Sequence, residues 1–203
     1  MNGVWIDLHV DTIEITKEND VGIYSEKAGI RFSKLGYEYG GERGWKFGEL
    51  SIWIGNVIAW RKFLESKFEY FILFEDDAVL EDNFAGIIHE ILLEAPKDWD
   101  VISLFTPETE IYKNNSLKSI HENLVPVYQD WSCLSYAISK RGAQKILNTL
   151  SHGKELDLPI DWYLWRNIPN LKILALHPDT LRPVNLELLE STFQQKQTRR
   201  ILS

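Results

Sequence analysis

Apolar positions recur at helical spacing between residues 47 and 66. Leu50, Trp53, Ile54, Val57, Ile58 and Phe63–Leu64 predict an amphipathic helix over Phe47–Ser66. The period then changes. Tyr70–Phe74 is an unbroken apolar run with the length and composition of a buried strand. Asp82 or Asn83 can cap the next helix, which gathers Phe84, Ile87, Ile88, Ile91 and Leu92 on one face before Pro96. Further strands are expected at Val4–Val10, Asp100–Phe105, Val125–Gln129, Leu134–Ile138 and Leu171–Leu176. Ser139 is placed to cap a helix running to Leu150. A short Trp-rich helix is expected over Ile160–Arg166, and a C-terminal helix with a basic end over Leu186–Leu202. Thr12–Gly44 has no clear period and reads as irregular, and Pro107–Asn123 reads as a polar loop. Strands alternating with helices predict an α/β fold, a mixed sheet layered between helices.

Composition narrows the class. The chain has 203 residues, 44% hydrophobic and 26% charged, as expected of one globular domain spanning 1–203. A net charge of −8 disfavours nucleic acid, whose binding rests on basic residues meeting phosphates. Two basic clusters, Lys140–Arg141–Lys145 and Lys196–Arg199–Arg200, read best as solvated helix faces. The single cysteine, Cys133, excludes an internal disulfide and suits a reducing, cytoplasmic compartment. The N-terminus has no basic, apolar leader pattern, and no run approaches the roughly 20 apolar residues of a membrane helix. Peripheral membrane contact and oligomeric state stay open.

The chemistry concentrates where Tyr70–Phe74 runs into Glu75, Asp76 and Asp77. Unpaired carboxylates are too costly to bury inside a sheet, so the triplet belongs where the strand emerges at its carboxyl end. In an extended chain Glu75 and Asp77 point together and Asp76 points away. Such a pair suits a hard divalent cation, Mn²⁺ or Mg²⁺, which fills its shell with water and substrate phosphates. A solvated acidic turn is the competing account of a bare triplet.

Gly48–Phe84 resembles the family 25 glycosyltransferases, in Gly48–Glu49 opening a helix, Trp60 late in it, Glu75–Asp76–Asp77 after an apolar strand, and Phe84 beyond. Leu134–Leu147 and Pro159–Trp165 resemble two further blocks of that family, a strand–Ser–basic–Gly–Ala helix start and a Pro-x-Asp–aromatic segment. The chain departs from the family pattern at Ser51–Ile52 and Gly55–Asn56, and Val4–Thr16 has no arginine. The resemblance implies a GT-A-like nucleotide-sugar-binding fold. It also implies metal-dependent, inverting transfer of galactose or glucose from a UDP-sugar to a hydroxyl of a glycan acceptor, as in lipopolysaccharide biosynthesis. The departures keep open a non-catalytic nucleotide-sugar-binding module, and protein or modified nucleic-acid hydroxyls stay open as acceptors.

The resemblance makes Asp161 the candidate base, beside Trp162 and Trp165, which could stack on a sugar; a helix-capping role for Asp161 competes evenly. Asp157 and Glu155 are weaker substitutes. Glu75 and Asp77 are the expected metal ligands, with His177 after the last strand as a third or as an ordinary surface residue. Asp76 is a candidate to hold the ribose or the local backbone. Asp7, at the end of the first strand, is a candidate for the nucleotide base or ribose, with a turn-forming role favoured. Glu49 is a site-wall candidate against an ordinary helix-start role. Trp131 and Tyr136 are candidates for the acceptor, with packing favoured. Cys133 lacks a nearby His and is not a nucleophile candidate.

Overall fold

In the computed structural model, described over residues 18–34, 36–38, 41–106, 123–127, 132–150, 153–177 and 183–186, the chain builds one mixed five-stranded sheet between helices. The elements in order are α1 (Glu18–Ala28), β1 (Gly36–Glu38), β2 (Gly41–Arg43), α2 (Phe47–Glu65), β3 (Tyr70–Phe74), β4 (Ala78–Leu80) and α3 (Phe84–Glu94). They continue with β5 (Val101–Ser103), β6 (Leu124–Pro126), β7 (Ser135–Ser139), α4 (Lys140–Leu150), α5 (Ile160–Asn167), β8 (Ile173–Leu176) and β9 (Val184–Leu186).

The main sheet runs β3–β7–β5–β8–β6, with β5 and β8 parallel and the other neighbours antiparallel. Strand alternation divides its side chains between two cores. Tyr136, Ile138, Val101 and Ile173 face one core with Trp53, Val57, Trp60 and Ile146, which are supplied by α2 and α4. Ala137, Ile102 and Leu174 face the other, with Phe84, Ile88 and Ile91 from α3. The apolar stripe on α2 is the deepest part of the molecule: Trp53, Ile54, Val57 and Trp60 are fully buried. Each such side chain contributes about 2–3 kcal/mol through area removed from water.

Three expectations change. Residues 12–44, expected to be irregular, contain α1, whose Val21, Tyr24, Ser25 and Ala28 face inward at helical spacing. The polar Ser25 in that stripe weakens the period, and Gly29 at φ 64° ends the helix. β3 is half-buried rather than buried on both faces, because it is an edge strand paired only with β7 among the described residues. Leu186, expected to open a helix, lies in β9, which pairs with β4 in a two-stranded ribbon. The expected strand Val4–Val10, residues 107–122 of the expected loop, and the rest of the C-terminal helix lie outside the described residues. No helix among the described residues is long and apolar enough to cross a membrane.

The strand-to-helix corner at residues 134–147 follows expectation and has a clear cause. Ser139 Oγ accepts from Gly142 N–H at 3.1 Å, capping α4. A Cβ on Gly142 would lie 2.3 Å from the Asp100 carbonyl oxygen, so only glycine lets α4 sit this close to the start of β5. Arg141 and Lys145 are not a solvated basic face. Arg141 Nε donates to Asp100 Oδ1 at 2.8 Å, and Lys145 Nζ to Oδ2 at 2.6 Å. The backbone N–H of Lys172 adds a bond to the same Oδ2 at 2.8 Å. Burial alone would raise the Asp100 carboxyl, but the bonds from Lys145, Lys172 and Arg141 outweigh it and hold it below the usual carboxylate range.

Candidate functional site

β3, β5 and β8 run in one direction and β7 and β6 in the other, so the carboxyl ends of the first three share a sheet edge with the start of β7. Glu75 leaves β3 at that edge, where its backbone N–H donates to Leu134 O at 2.8 Å. The chain then folds back at once. Ala78 N–H donates to Glu75 O at 3.2 Å, so residues 75–78 form a β-turn rather than extended chain. This corrects the alternation expected for the triplet. Asp76 is nevertheless the exposed member, at a corner of the turn, while Glu75 and Asp77 are half-buried.

Beside the turn is a cleft of about 190 Å³ lined by Glu49, Ile52, Glu75, Ser132, Cys133, Pro159, Ile160 and Asp161. Its walls come from three places: the first two turns of α2, the end of β3 with the residues before β7, and the start of α5. Two contacts bring α5 to α2. Trp53 Nε1 donates to Leu158 O at 2.9 Å, and the Trp53 and Tyr163 rings meet edge to face at 5.1 Å. Beneath, α2 is fixed to β7 by a buried relay: Trp60 Nε1 donates to Tyr136 Oη at 2.9 Å, and that hydroxyl donates to Asn56 Oδ1. Tyr136 is fully buried, so it packs the core and does not reach an acceptor.

Helix-start and cleft roles coexist in two of the carboxylates. Glu49 accepts from Lys46 N–H at 3.0 Å, closing the start of α2, and still faces the cleft. Asp161 accepts from Trp162 N–H at 2.9 Å in the first turn of α5 and also faces the cleft. Crowding has electrostatic consequences. Burial, followed by the charges of Asp77, Asp161 and Asp76, pushes Glu75 up to about 7. Burial also raises Asp161, against the bond from Trp162 that lowers it. The Cys133 thiol goes well up, by burial first and then by Asp161 and Glu75, which makes it a neutral, apolar patch of wall.

Asp77 Oδ1 is buried with no hydrogen-bond partner among the described residues, and so are Oδ1 of Asp157 and Oγ of Ser135. Among the described residues no three of His, Cys, Asp and Glu come together as a metal-holding group. His177 lies at the same sheet edge, its N–H donating to Asn123 O at 2.9 Å, but it follows β8. Three strand spacings, about 14 Å, separate β8 from β3. The sheet order therefore sets His177 apart from the triplet. Asp7 and Trp131 lie outside the described residues, as does the side chain of Trp165; Trp162 is half-buried. Of the weaker base candidates, Glu155 is exposed and Asp157 half-buried, and neither lines the cleft.

Ile52, Ser132, Cys133 and the Pro159–Ile160 pair line the cleft without having been expected there from the sequence. For Ser132 and Cys133 a signal existed: they precede the strand that pairs with β3, so they lie next to the end of β3. The donor set as a whole is hard oxygen: half-buried Glu75 and Asp77, one carboxylate oxygen of Asp77 left without a partner among the described residues, and a Glu75 carboxyl raised by burial first and by its acidic neighbours second. These residues fit a divalent cation of the Mn²⁺ or Mg²⁺ kind, which takes few protein ligands and relieves such crowding.

The family profile described as Glycosyltransferase family 25 (LPS biosynthesis protein) matches residues 47–164, the span that contains α2, the triplet, α4 and most of α5. Procollagen galactosyltransferase 2 of Mus musculus is 26% identical over 120 residues, 58% of this chain and 19% of the relative. Procollagen galactosyltransferase 1-B of Xenopus laevis is 31% identical over 121 residues, again 58% and 19%. Inactive glycosyltransferase 25 family member 3 of Homo sapiens is 29% identical over 120 residues, 58% of this chain and 20% of the relative. The chain spans about a fifth of the length of these curated relatives.

Proposed function

The chain belongs to glycosyltransferase family 25, and from that premise we propose that it transfers a hexose, galactose or glucose, from a UDP-sugar to a hydroxyl of a glycan acceptor. The observation that carries the reading is the cleft itself: Glu49, Glu75 and Asp161 line one small space beside the carboxylate turn. The family's description as an LPS biosynthesis protein supports a glycan acceptor. The relatives named procollagen galactosyltransferases support galactose and keep protein hydroxyls as the alternative. The single buried cysteine supports a reducing, cytoplasmic setting.

In this reading Glu75 and Asp77 would hold a divalent cation, and His177 is left out of the grip. When bound, the cation supplies positive charge for the departing diphosphate. The remaining work falls to the chain. Asp161, with its carboxylate oriented by the Trp162 N–H and its proton affinity raised by burial, takes the proton of the acceptor hydroxyl. The acceptor oxygen forms its bond to the anomeric carbon as the bond to UDP breaks, and UDP leaves with the electron pair, so one displacement inverts the anomeric centre. Ile52, Pro159, Ile160 and neutral Cys133 form an apolar wall that limits water at that carbon.

A second reading, a nucleotide-sugar-binding module without turnover, has support in the inactive human family member, which is as similar as the active-named relatives. Nucleotide release from UDP-galactose and UDP-glucose with Mn²⁺ separates the two. Turnover above background that Asp77→Asn removes supports the transferase. UDP binding by calorimetry with no release from either sugar supports the module.

A further inference from the structure

The carboxylate turn is held from two sides. On the incoming side the support is the main sheet: Phe74 pairs with Ser135, and Glu75 N–H donates to Leu134 O at 2.8 Å. On the outgoing side the support is β9. β4 begins at Ala78, directly after Asp77, and pairs in the order Ala78 with Leu186, Val79 with Asn185, Leu80 with Val184. Glu81 N–H donates to Pro183 O at 3.1 Å, and Asn185 Nδ2 donates to Glu81 Oε1. Antiparallel alternation then puts the Val79 and Asn185 amides into the ladder as well.

A ribbon of two three-residue strands is marginal alone. This one is anchored: Val184 is 1% exposed and packs in the core of Phe84, Ile87 and Ile88. The Phe74 and Phe84 rings, edge to face at 5.4 Å, tie β3 to the same core. The turn therefore spans two fixed points, and Asp77 sits one residue from the second. Among the described residues β4 has no other ladder partner. β9 also lies outside the span, 47–164, over which the chain matches its family.

We propose that β9 is a positioning strand for the carboxylate turn, acting through the backbone of Asn185 in the ladder and the buried side chain of Val184. It holds Ala78 in register, and so fixes the backbone of Asp77 relative to Glu75. The consequence for a divalent cation rests on the reading in the previous subsection; the holding of the turn does not.

Asn185→Pro removes the central ladder donor of β9, whereas Asn185→Ala removes only the side-chain bond to Glu81. Hydrogen exchange of the full chain is the primary measurement. In Asn185→Pro the Ala78 amide, bonded to Glu75 O, loses at least about tenfold protection while the Val101 and Ile102 amides keep theirs. Asn185→Ala stays within about threefold of the parent. Unchanged protection at Ala78 in Asn185→Pro, with Glu81 deprotected, overturns the proposal. If Asn185→Pro does not fold, the parent protein decides: the Ala78 and Glu81 amides open together as one unit, and an Ala78 amide that stays protected while Glu81 exchanges overturns it. Mn²⁺ binding, followed by electron paramagnetic resonance, falls about tenfold in Asn185→Pro. A parent chain that binds no Mn²⁺ sinks the metal reading and leaves the exchange result to decide the role of β9.

Discussion

The carboxylates of the cleft differ in what holds them, and that difference predicts their substitutions. Asp161 takes a backbone N–H at the start of α5 and also faces the cleft. Asp161→Asn keeps the oxygen that accepts from Trp162 and loses the proton acceptor. Transfer therefore falls by about 10²–10⁴, the usual share of a general base, while UDP affinity changes little. Steady-state kinetics beside calorimetry checks this, and equal losses in both would make Asp161 structural. Gly142 is the residue-scale opposite, far from chemistry and intolerant of change. Gly142→Ala drives a methyl to 2.3 Å from the Asp100 carbonyl oxygen and costs about 1–3 kcal/mol in urea unfolding. At this scale the sequence was readable only in part. The sequence marked Glu75 as a candidate by the apolar strand that runs into it, and Glu49 and Asp161 by the blocks that resemble the family; the cleft brings the three together. Cys133 and Ile52 could not be read that way, because an apolar wall residue looks like a core residue until the opposite wall is known.

Among the elements, α2 has two functions. Its apolar stripe fills one core, and its first two turns carry Glu49 and Ile52 to the cleft. What sets its height above the sheet is the Trp60–Tyr136–Asn56 relay. Tyr136→Phe leaves the Trp60 N–H and the Asn56 carbonyl without their buried partner, at a cost of about 1–3 kcal/mol, measurable as a shift in denaturant midpoint at constant slope. A spacing of three and four residues announces such a helix without ambiguity. α1 shows the limit: with Ser25 in its inward face its stripe is too weak to read, and docking on α2 decides it. β4 and β9 are a stronger case. Three residues each carry no period, and the ribbon exists because two segments more than a hundred residues apart meet.

At the scale of the whole molecule, charge and ligand set stability. Asp100 is fully buried and meets Arg141, Lys145 and the Lys172 N–H, tying β5, α4 and the start of β8 together. Asp100→Ala leaves two cations facing a void and costs about 3 kcal/mol. The folded-state carboxyl lies below its unfolded value of about 3.9, so the folded protein binds fewer protons there. The stabilisation is therefore present above about pH 4 and lost as pH falls through the folded value. Urea unfolding between about pH 2 and 6 checks this: Asp100→Asn flattens the acid limb that the parent shows. Ligand acts in the other direction. With Mn²⁺ present throughout, UDP at about 100 times its dissociation constant stabilises the protein by about 2.7 kcal/mol, a melting shift of several degrees that Asp77→Asn abolishes.

The sequence by itself determined the α/β layering, the long α2, the strand that ends in the triplet, the Ser139 cap and the order of blocks that marks the family. These are local: a period of 3.6 or 2, a cap three residues from its donor, a charge that cannot enter a sheet. Tertiary structure alone decided that β3 is an edge strand, that the triplet is a turn, that His177 stands three strands from it and that Arg141 and Lys145 serve a buried carboxylate. Strand order and the meeting of distant segments are set by the packing of both sheet faces at once, and no window of sequence contains that sum.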